Sequence, residues 1–162
     1  MIIDFTLNGS TRSVNVTSAE RASDVLIGKC GIKSIQTDCM SGFCGRCMII
    51  KDGLPVPSCL IPAFLLKGSS ILTLESYRNN AIYEHLVIEL DHMGILPCRH
   101  CRNAKLLYAM YLITRPATVL LEDAVRELSS IPCACTDTRT LAAKVIAIRG
   151  EHPSGRMSHA HL

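Results

Sequence analysis

The first half of the chain alternates between apolar and polar residues with the two-residue period of β-strands. Five short segments show this alternation or a continuous apolar run: residues 2–7, 12–16, 48–50, 54–56 and 71–74. The first two segments are joined by Asn8-Gly9-Ser10 and the next two by Asp52-Gly53, and both connections are typical of hairpin turns. The pattern therefore predicts a sheet made from two hairpins and a closing strand.

One helix is predicted within this half. Thr17-Ser18-Ala19-Glu20 has the form of a capping box, in which a Ser or Thr and a Glu three residues later bind the free N–H groups of a helix start. Ala22, Val25 and Leu26 follow at the spacing of one helix face. A hairpin, a helix and further strands in this order predict a β-grasp domain of the ferredoxin type.

From about residue 78 the hydrophobic period changes towards the 3.6 residues of an α-helix. Four apolar stripes follow one another: Ile82, Leu86, Leu90 and Met93; Ala104, Leu107, Tyr108, Tyr111 and Leu112; Leu121, Ala124, Val125 and Leu128; and Leu141, Val145 and Ile148. We expect four amphipathic helices packed as a small bundle.

The predicted fold class is therefore α+β, with a β-grasp domain followed by a four-helix bundle. The expected domains are residues 1–77 and 78–150, joined by a linker at Tyr77 to Ala81. Residues 151–162 have no apolar period and are expected to form a flexible tail.

Eight of the nine cysteines fall into two sets, each with the ligand count of one 2Fe-2S cluster. The first cysteine group is Cys39, Cys44, Cys47 and Cys59, and the second cysteine group is Cys98, Cys101, Cys133 and Cys135. The first group has the plant-type C-x4-C-x2-C run with a distant fourth cysteine. Gly42 and Gly45 inside this run allow the backbone to approach the inorganic core, and we count them as cofactor-binding residues. A structural zinc site is the alternative, but the gap between Cys39 and Cys44 fits it poorly.

The second cysteine group is less specific, because C-x2-C with a distant C-x-C suits a zinc site, a cluster or two separate redox pairs. From its residues alone it is a metal site of open identity. The N-terminus has no secretory signal, so we expect a cytoplasmic protein whose cysteines bind metal rather than form disulfides. Cys30 is left over and is expected to be a buried apolar thiol.

Both groups lie in segments that resemble one known family, the small iron–sulfur subunits of the molybdenum hydroxylases (xanthine dehydrogenase, aldehyde oxidase and carbon monoxide dehydrogenase). The segment from Asp38 to Cys47 resembles the family's first cluster loop, and Lys51 to Ala63, with Ile71 to Glu75 beyond it, resembles the stretch that follows. The C-x2-C-x31-C-x-C register of the second group is also the family's. Around that group the chain departs from the usual QCGFCTPG and GNLCRCTG, with Pro97, Arg99 and Ser130 among the replacements.

This resemblance implies two 2Fe-2S clusters that relay electrons within a multi-subunit oxidoreductase. The second cysteine group would hold the cluster beside the molybdopterin of a large subunit, and the first group would hold the cluster on the side of a medium, FAD-binding subunit. The implied assembly is a heterotrimer or its dimer. The substrate, such as a purine, an aldehyde or an N-heterocycle, would be hydroxylated on the large subunit with oxygen from water, so this chain would carry no catalytic residue.

Composition agrees with a subunit that has partners. The hydrophobic fraction is 48% and the mean hydropathy +0.26, without a long apolar span, which favours a buried interface over a membrane segment. The net charge of +3 counts cysteines as neutral and comes with no Lys/Arg run, so nucleic acid is not expected as a partner. Two other functions stay open: a free-standing ferredoxin-like carrier, and a diverged regulatory or structural protein with zinc or no metal at the second site.

The histidines have less specific explanations. His100 lies between Cys98 and Cys101, but four cysteines already complete that site. His85 and His92 are expected to have surface or packing roles. The histidines of the C-terminal tail are expected to remain solvated: His152, His159 and His161.

Overall fold

The structure, a computed structural model, describes residues 1–152, and within them the fold is mixed α/β with a five-stranded sheet and five α-helices. The strands are β1 (Ile2–Leu7), β2 (Ser10–Asn15), β3 (Met48–Lys51), β4 (Leu54–Pro57) and β5 (Ser70–Leu72). The helices are α1 (Ala22–Gly28), α2 (Ala81–His92), α3 (Arg102–Thr114), α4 (Leu121–Leu128) and α5 (Thr138–Glu151). The predicted flexible tail lies outside the described residues from residue 153 onward, and so do His159 and His161.

The strand order in the sheet is β2-β1-β5-β3-β4. β1 pairs antiparallel with β2 and parallel with β5, while β3 pairs antiparallel with both β4 and β5. Both predicted hairpins are present. Asn8 and Gly9 have φ values of 50° and 80°, and Asp52 and Gly53 have 49° and 80°, as a two-residue type I′ turn requires. Because two residues complete the first turn, β2 already begins at Ser10.

Helix α1 begins at Ala22, and its cap differs from the predicted one. The Glu20 carboxylate accepts a hydrogen bond from the Thr17 N–H at 2.7 Å, but this bond closes a turn that precedes the helix. Arg21 is the N-cap residue, and its backbone N–H donates to the Asp24 carboxylate at 3.0 Å. The predicted capping box is therefore wrong, because an acidic side chain later in the sequence makes the equivalent bond for the helix itself. The predicted apolar face, Ala22, Val25 and Leu26, is buried.

The two faces of the sheet pack against different parts of the chain. Ile49 and Ile71 belong to a core cluster with α1, whereas Ile50 and Leu72 belong to a cluster with the C-terminal helices. This division follows from the alternation of side chains along each strand. Helix α3 lies between the sheet and the other helices, and for this reason residues 104–114 are all buried.

All four predicted C-terminal helices are present, and their stripes are largely buried. The exception is Met93, which follows α2 as its C-cap and is 45% exposed. The connection between the halves is ordered: Leu74–Tyr77 forms a 3-10 turn, and Tyr77 packs in the helical core. The Asn80 side chain then caps α2 by accepting from the Ile82 N–H at 2.9 Å. Over residues 1–152, the helices are too short or too polar for any of them to cross a bilayer.

Candidate metal centres

The fold brings the second cysteine group together at one end of the helices. Cys98 and Cys101 lie directly before α3, and Cys133 and Cys135 lie between α4 and α5. The Sγ atom of Cys98 lies 3.8 Å from the Sγ of Cys101 and 3.7 Å from the Sγ of Cys133. The Sγ atoms of Cys101 and Cys135 are 3.4 Å apart. All four sulfurs lie within 4.8 Å of one another. The predicted meeting of the two pairs is therefore confirmed.

Hydrogen bonds and burial shift the pKa values of three of these thiols in different directions. Burial would raise the pKa of Cys135, but the hydrogen bond from the Cys98 backbone N–H and the bond with the Thr136 side chain lower it to about 6. The pKa of Cys98 is also lowered, first by its bond with the Cys101 backbone. Cys101 is 1% exposed, and burial raises the pKa of its thiol. A buried thiolate at Cys101 therefore needs the positive charge of a metal, which fits this donor set to a thiolate-bound metal centre.

The first cysteine group lies in the loop before β3 and in the turn after β4. Backbone N–H groups of Ser41 and Cys44 donate to Cys39 Sγ at 3.5 and 3.4 Å, and the hydrogen bonds from Ser41 and Cys44 lower the pKa of Cys39 to about 6. Cys47 and Cys59 are buried next to each other, and burial raises the pKa of Cys47 to about 11. The group thus combines a half-buried, acidic thiol with a buried pair.

Two contacts fix the first loop in place. The Ser58 hydroxyl and backbone N–H donate to the Cys47 carbonyl at 2.7 and 3.0 Å, which joins the loop to the turn that carries Cys59. The Glu75 carboxylate accepts from the backbone N–H groups of Lys33 and Ser34 at 3.0 and 2.8 Å. Glu75 is the last residue of the stretch that resembles the family. Its two hydrogen bonds hold the segment that leads into the first loop.

The loop glycines are placed against apolar side chains. Gly42 has a φ of +77°, and a Cβ there would lie 2.5 Å from Leu60 Cδ1. Gly45 has a φ of +67°, and a Cβ there would lie 2.9 Å from Ile131 Cγ1. We predicted these glycines from the need to approach an inorganic core. Gly45 also has a packing role, because the absence of a side chain lets the first cysteine loop pack directly against the loop of the second group.

Two cations, Arg46 and Lys105, were missed by sequence reasoning. Arg46 pairs with Asp38, and this bond raises the pKa of Arg46, with smaller contributions from Cys44 and Cys133. Its guanidinium therefore lies in the electrostatic range of both groups. Lys105 is completely buried, and its Nζ has no hydrogen-bond partner within residues 1–152. A lysine four residues after Cys101, inside an apolar stripe, was the signal that could have identified it.

His152, which we expected to be solvated, has a partner in the structure. His152 Nε2 lies 3.2 Å from His85 Nδ1, and the Glu151 carboxylate is 3.9 Å from the same nitrogen. The prediction that His152 stays solvated is therefore wrong, because the last turn of α5 packs beside α2. His100, by contrast, is exposed beside the second group.

Comparison with known proteins identifies the family. The chain matches no protein-family model. It is 31% identical over 149 residues to the nicotine 6-hydroxylase small subunit of Paenarthrobacter nicotinovorans, covering 92% of this chain and 90% of that one. It is 29% identical over 134 residues to the nicotinate dehydrogenase small FeS subunit of Eubacterium barkeri, covering 83% and 85%.

A solved structure agrees with these relatives. A chain of the crystal structure of quinoline 2-oxidoreductase from Pseudomonas putida 86 superposes with a TM-score of 0.82 at 25% identity, over 97% of this chain and 98% of that chain. The chain therefore belongs to the small iron–sulfur subunits of the molybdenum hydroxylases, which are electron-transfer subunits of multi-subunit oxidoreductases.

Proposed function

We propose that this chain holds two 2Fe-2S clusters and passes single electrons between a molybdopterin site on a large subunit and FAD on a medium subunit. The second cysteine group holds the cluster on the molybdenum side, and the first cysteine group holds the cluster on the flavin side. The observation that carries the proposal is the convergence of Cys98, Cys101, Cys133 and Cys135, whose sulfurs lie within 4.8 Å of one another. When bound, each cluster supplies a carrier for one electron at a time.

The alternative of zinc at the second group needs a chemical test. Four thiolates around one Zn²⁺ at about 2.3 Å would have sulfur–sulfur separations of about 3.8 Å. The separations of 3.4 to 3.8 Å in the second group match that ion, and they also match two thiolates that share one iron of a cluster. Thiolates on different irons lie farther apart, so cluster binding would spread the four sulfurs. Membership of the iron–sulfur subunits favours the cluster, and the direct contact of the second loop with the first favours two centres that exchange electrons.

We propose two domains with the predicted boundaries, a β-grasp domain over residues 1–77 and a four-helix bundle over 78–150. Two core clusters support this division. The halves are joined closely, because Ile50 and Leu72 of the sheet pack with α3 and because the Asn103 side chain donates to the Ser34 carbonyl at 3.2 Å. Such a junction holds the two cysteine loops at a constant separation, which electron transfer requires.

The surface beside the first group supports a protein partner. Phe43, inside the first loop, is 78% exposed, and Leu60, which contacts the same loop, is 55% exposed. Large apolar side chains that project from a cofactor loop are typical of an interface. We propose that this surface binds the medium subunit, while the side of the second group on which Cys135 is exposed faces the large subunit. A heterotrimer or its dimer is the proposed assembly, and a free-standing carrier is not favoured.

We also propose a cytoplasmic location, since thiolate ligands persist in a reducing compartment.

The function is tested by anaerobic purification followed by analysis of iron, acid-labile sulfide and zinc. Two clusters require about four irons and four sulfides per chain. About two irons with one zinc per chain would contradict the assignment of the second group, and purification without a large and a medium subunit would contradict the proposed assembly.

A further inference from the structure

Lys105 is a charged residue buried in the helical half of the protein. The residue lies in the first turns of α3, its side chain is 0% exposed, and its Nζ has no hydrogen bond within the described part of the chain. An ammonium group in an apolar interior is strongly disfavoured unless an anion lies beside it. The position of Lys105 therefore indicates an anion in the helical half of the protein.

The helix geometry directs this ammonium towards the second cysteine group. Lys105 follows Cys101 by one turn, and its backbone N–H donates to the Cys101 carbonyl at 2.9 Å. Residues four apart lie on the same helix face, and long helical side chains extend back towards the N-terminus. Asn103, about 200° around the helix from Lys105, bonds to Ser34 of the first half. Lys105 therefore lies on the side of α3 that carries Cys101, opposite the contact with Ser34.

Within residues 1–152, no acidic side chain forms a hydrogen bond with the Lys105 ammonium. Glu127, on the neighbouring helix α4, is already held by Arg115 through two hydrogen bonds of 2.9 and 3.0 Å. Glu89 is bound to Lys144 at 2.8 Å. The thiolate set of the second group lies on the Cys101 side of α3 and carries a net charge of about 2− when it holds an oxidised 2Fe-2S core.

We propose that Lys105 is the counter-ion of the second centre and raises its reduction potential. This inference rests on the proposed function, because it needs a cluster at the second cysteine group. On reduction the centre gains one electron, supplied from the molybdenum side, and its net charge becomes more negative by one. A fixed positive charge therefore stabilises the reduced form more than the oxidised form.

Burial gives Lys105 a stronger influence than the other cations near this site. Arg99 and Arg102 flank Cys98 and Cys101 in the sequence, but both are exposed, so water and salt screen their charges. The charge of Lys105 acts through the protein interior, where the effective dielectric constant is lower. Its effect should therefore not depend on ionic strength.

The test is a redox titration of the complex, followed by electron paramagnetic resonance, for wild type and Lys105→Met. We expect the midpoint of the second centre to move to lower potential, by the same amount at low and high salt, while the first centre stays within error of wild type. Arg102→Met is the matched exposed control, with a smaller shift that high salt abolishes. Lys144→Met, which removes a half-buried lysine of the same bundle that pairs with Glu89, should move neither midpoint.

An unchanged midpoint of the second centre in Lys105→Met, or an equal shift of both centres, would overturn the proposal. If Lys105→Met loses its iron, the midpoint of the second centre is compared between Lys105→Arg and Lys105→Gln instead. The counter-ion role requires a higher midpoint in the arginine variant than in the glutamine variant, and equal midpoints would overturn it. A failure of the proposed function is recognised separately, since the wild-type protein would then show no second centre at all.

Discussion

Gly45 and Ile131 form the contact between the two cysteine loops. A Cβ on Gly45 would lie 2.9 Å from Ile131 Cγ1 and 3.1 Å from the Ser130 carbonyl oxygen. Gly45 stands between Cys44 and Cys47, and Ile131 stands two residues before Cys133. The two candidate centres therefore share one packed boundary, and a residue from each ligand loop takes part in it.

Replacing Gly45 by alanine should disturb this boundary. At a φ of +67° the side chain adds backbone strain, and it also overlaps Ile131. We expect Gly45→Ala to lower the free energy of unfolding by about 2–5 kcal/mol, measured as a lower Tm of the holoprotein. Gly68→Ala is the matched control, because its φ is +72° and nothing lies within 4 Å of the added Cβ. It should cost only about 1–2 kcal/mol, and equal losses in both variants would show that the loop contact does not matter.

The assignment of ligands to two centres predicts selective losses. Cys44→Ser should remove one paramagnetic signal of the reduced protein and about half of the iron, and Cys101→Ser should remove the other signal. Cys30 belongs to neither group and is half-buried, so Cys30→Ser should retain both signals. Loss of the same signal in Cys44→Ser and Cys101→Ser would show that the eight cysteines are divided incorrectly.

Without its clusters, the protein should show thiols of very different acidity. Hydrogen bonds lower the pKa of Cys39 from 9.0 to about 6, whereas burial raises the pKa of Cys47 to about 11. Only the thiolate reacts with iodoacetamide. We expect Cys39 in the apoprotein to be alkylated with a pH midpoint near 6, while Cys47 stays unmodified at neutral pH. Mass spectrometry of the labelled peptides across pH measures this, and a Cys39 midpoint near 9 would contradict the hydrogen-bonded loop.

The lowered pKa of Cys39 also makes the stability of the apoprotein depend on pH. Because the pKa of Cys39 is lower in the folded apoprotein than in the unfolded chain, its thiolate favours folding above pH 9. This contribution is lost as the pH falls from 9 towards 6. The difference in Tm between wild-type apoprotein and Cys39→Ser should therefore shrink over this interval, and a difference that grows towards acid pH would be the wrong sign.

The exposed aromatic residue of the first loop should matter for assembly. Phe43 is 78% exposed, and we expect Phe43→Ser to weaken binding of the medium subunit about tenfold or more. The iron content should not change, because Phe43 supplies no ligand. Leu120→Ser is the control: Leu120 is 64% exposed but caps the end of α4 that lies away from the cysteine loops. Equal binding by wild type and Phe43→Ser, measured by titration calorimetry, would place the interface elsewhere.

Much of this architecture could be predicted from local patterns. Hydrophobic period and turn residues identify both hairpins and the four C-terminal helices, because each of these elements is determined by residues close to one another in the chain. The cap of α1 was predicted incorrectly, since Glu20 and Asp24 both offer a suitable acidic side chain and only the folded turn selects between them.

The features that sequence reasoning missed depend on contacts between distant segments. Gly45 meets Ile131 only after both loops have folded, and nothing in either segment records the other. Lys105 stands inside an apolar stripe of the sequence, but its complete burial results from the packing of α3 against the sheet and the other helices. The meeting of Cys98 and Cys101 with the later pair was predictable, because the helices between them fix where each pair must lie.

The central claim is that two separate 2Fe-2S centres occupy this chain. Its most direct test is spin quantification by electron paramagnetic resonance of the anaerobically purified complex after full reduction with dithionite. Two clusters require about two spins per chain from this subunit, in two iron–sulfur signals that relax differently. A single iron–sulfur signal that integrates to about one spin per chain would contradict the account.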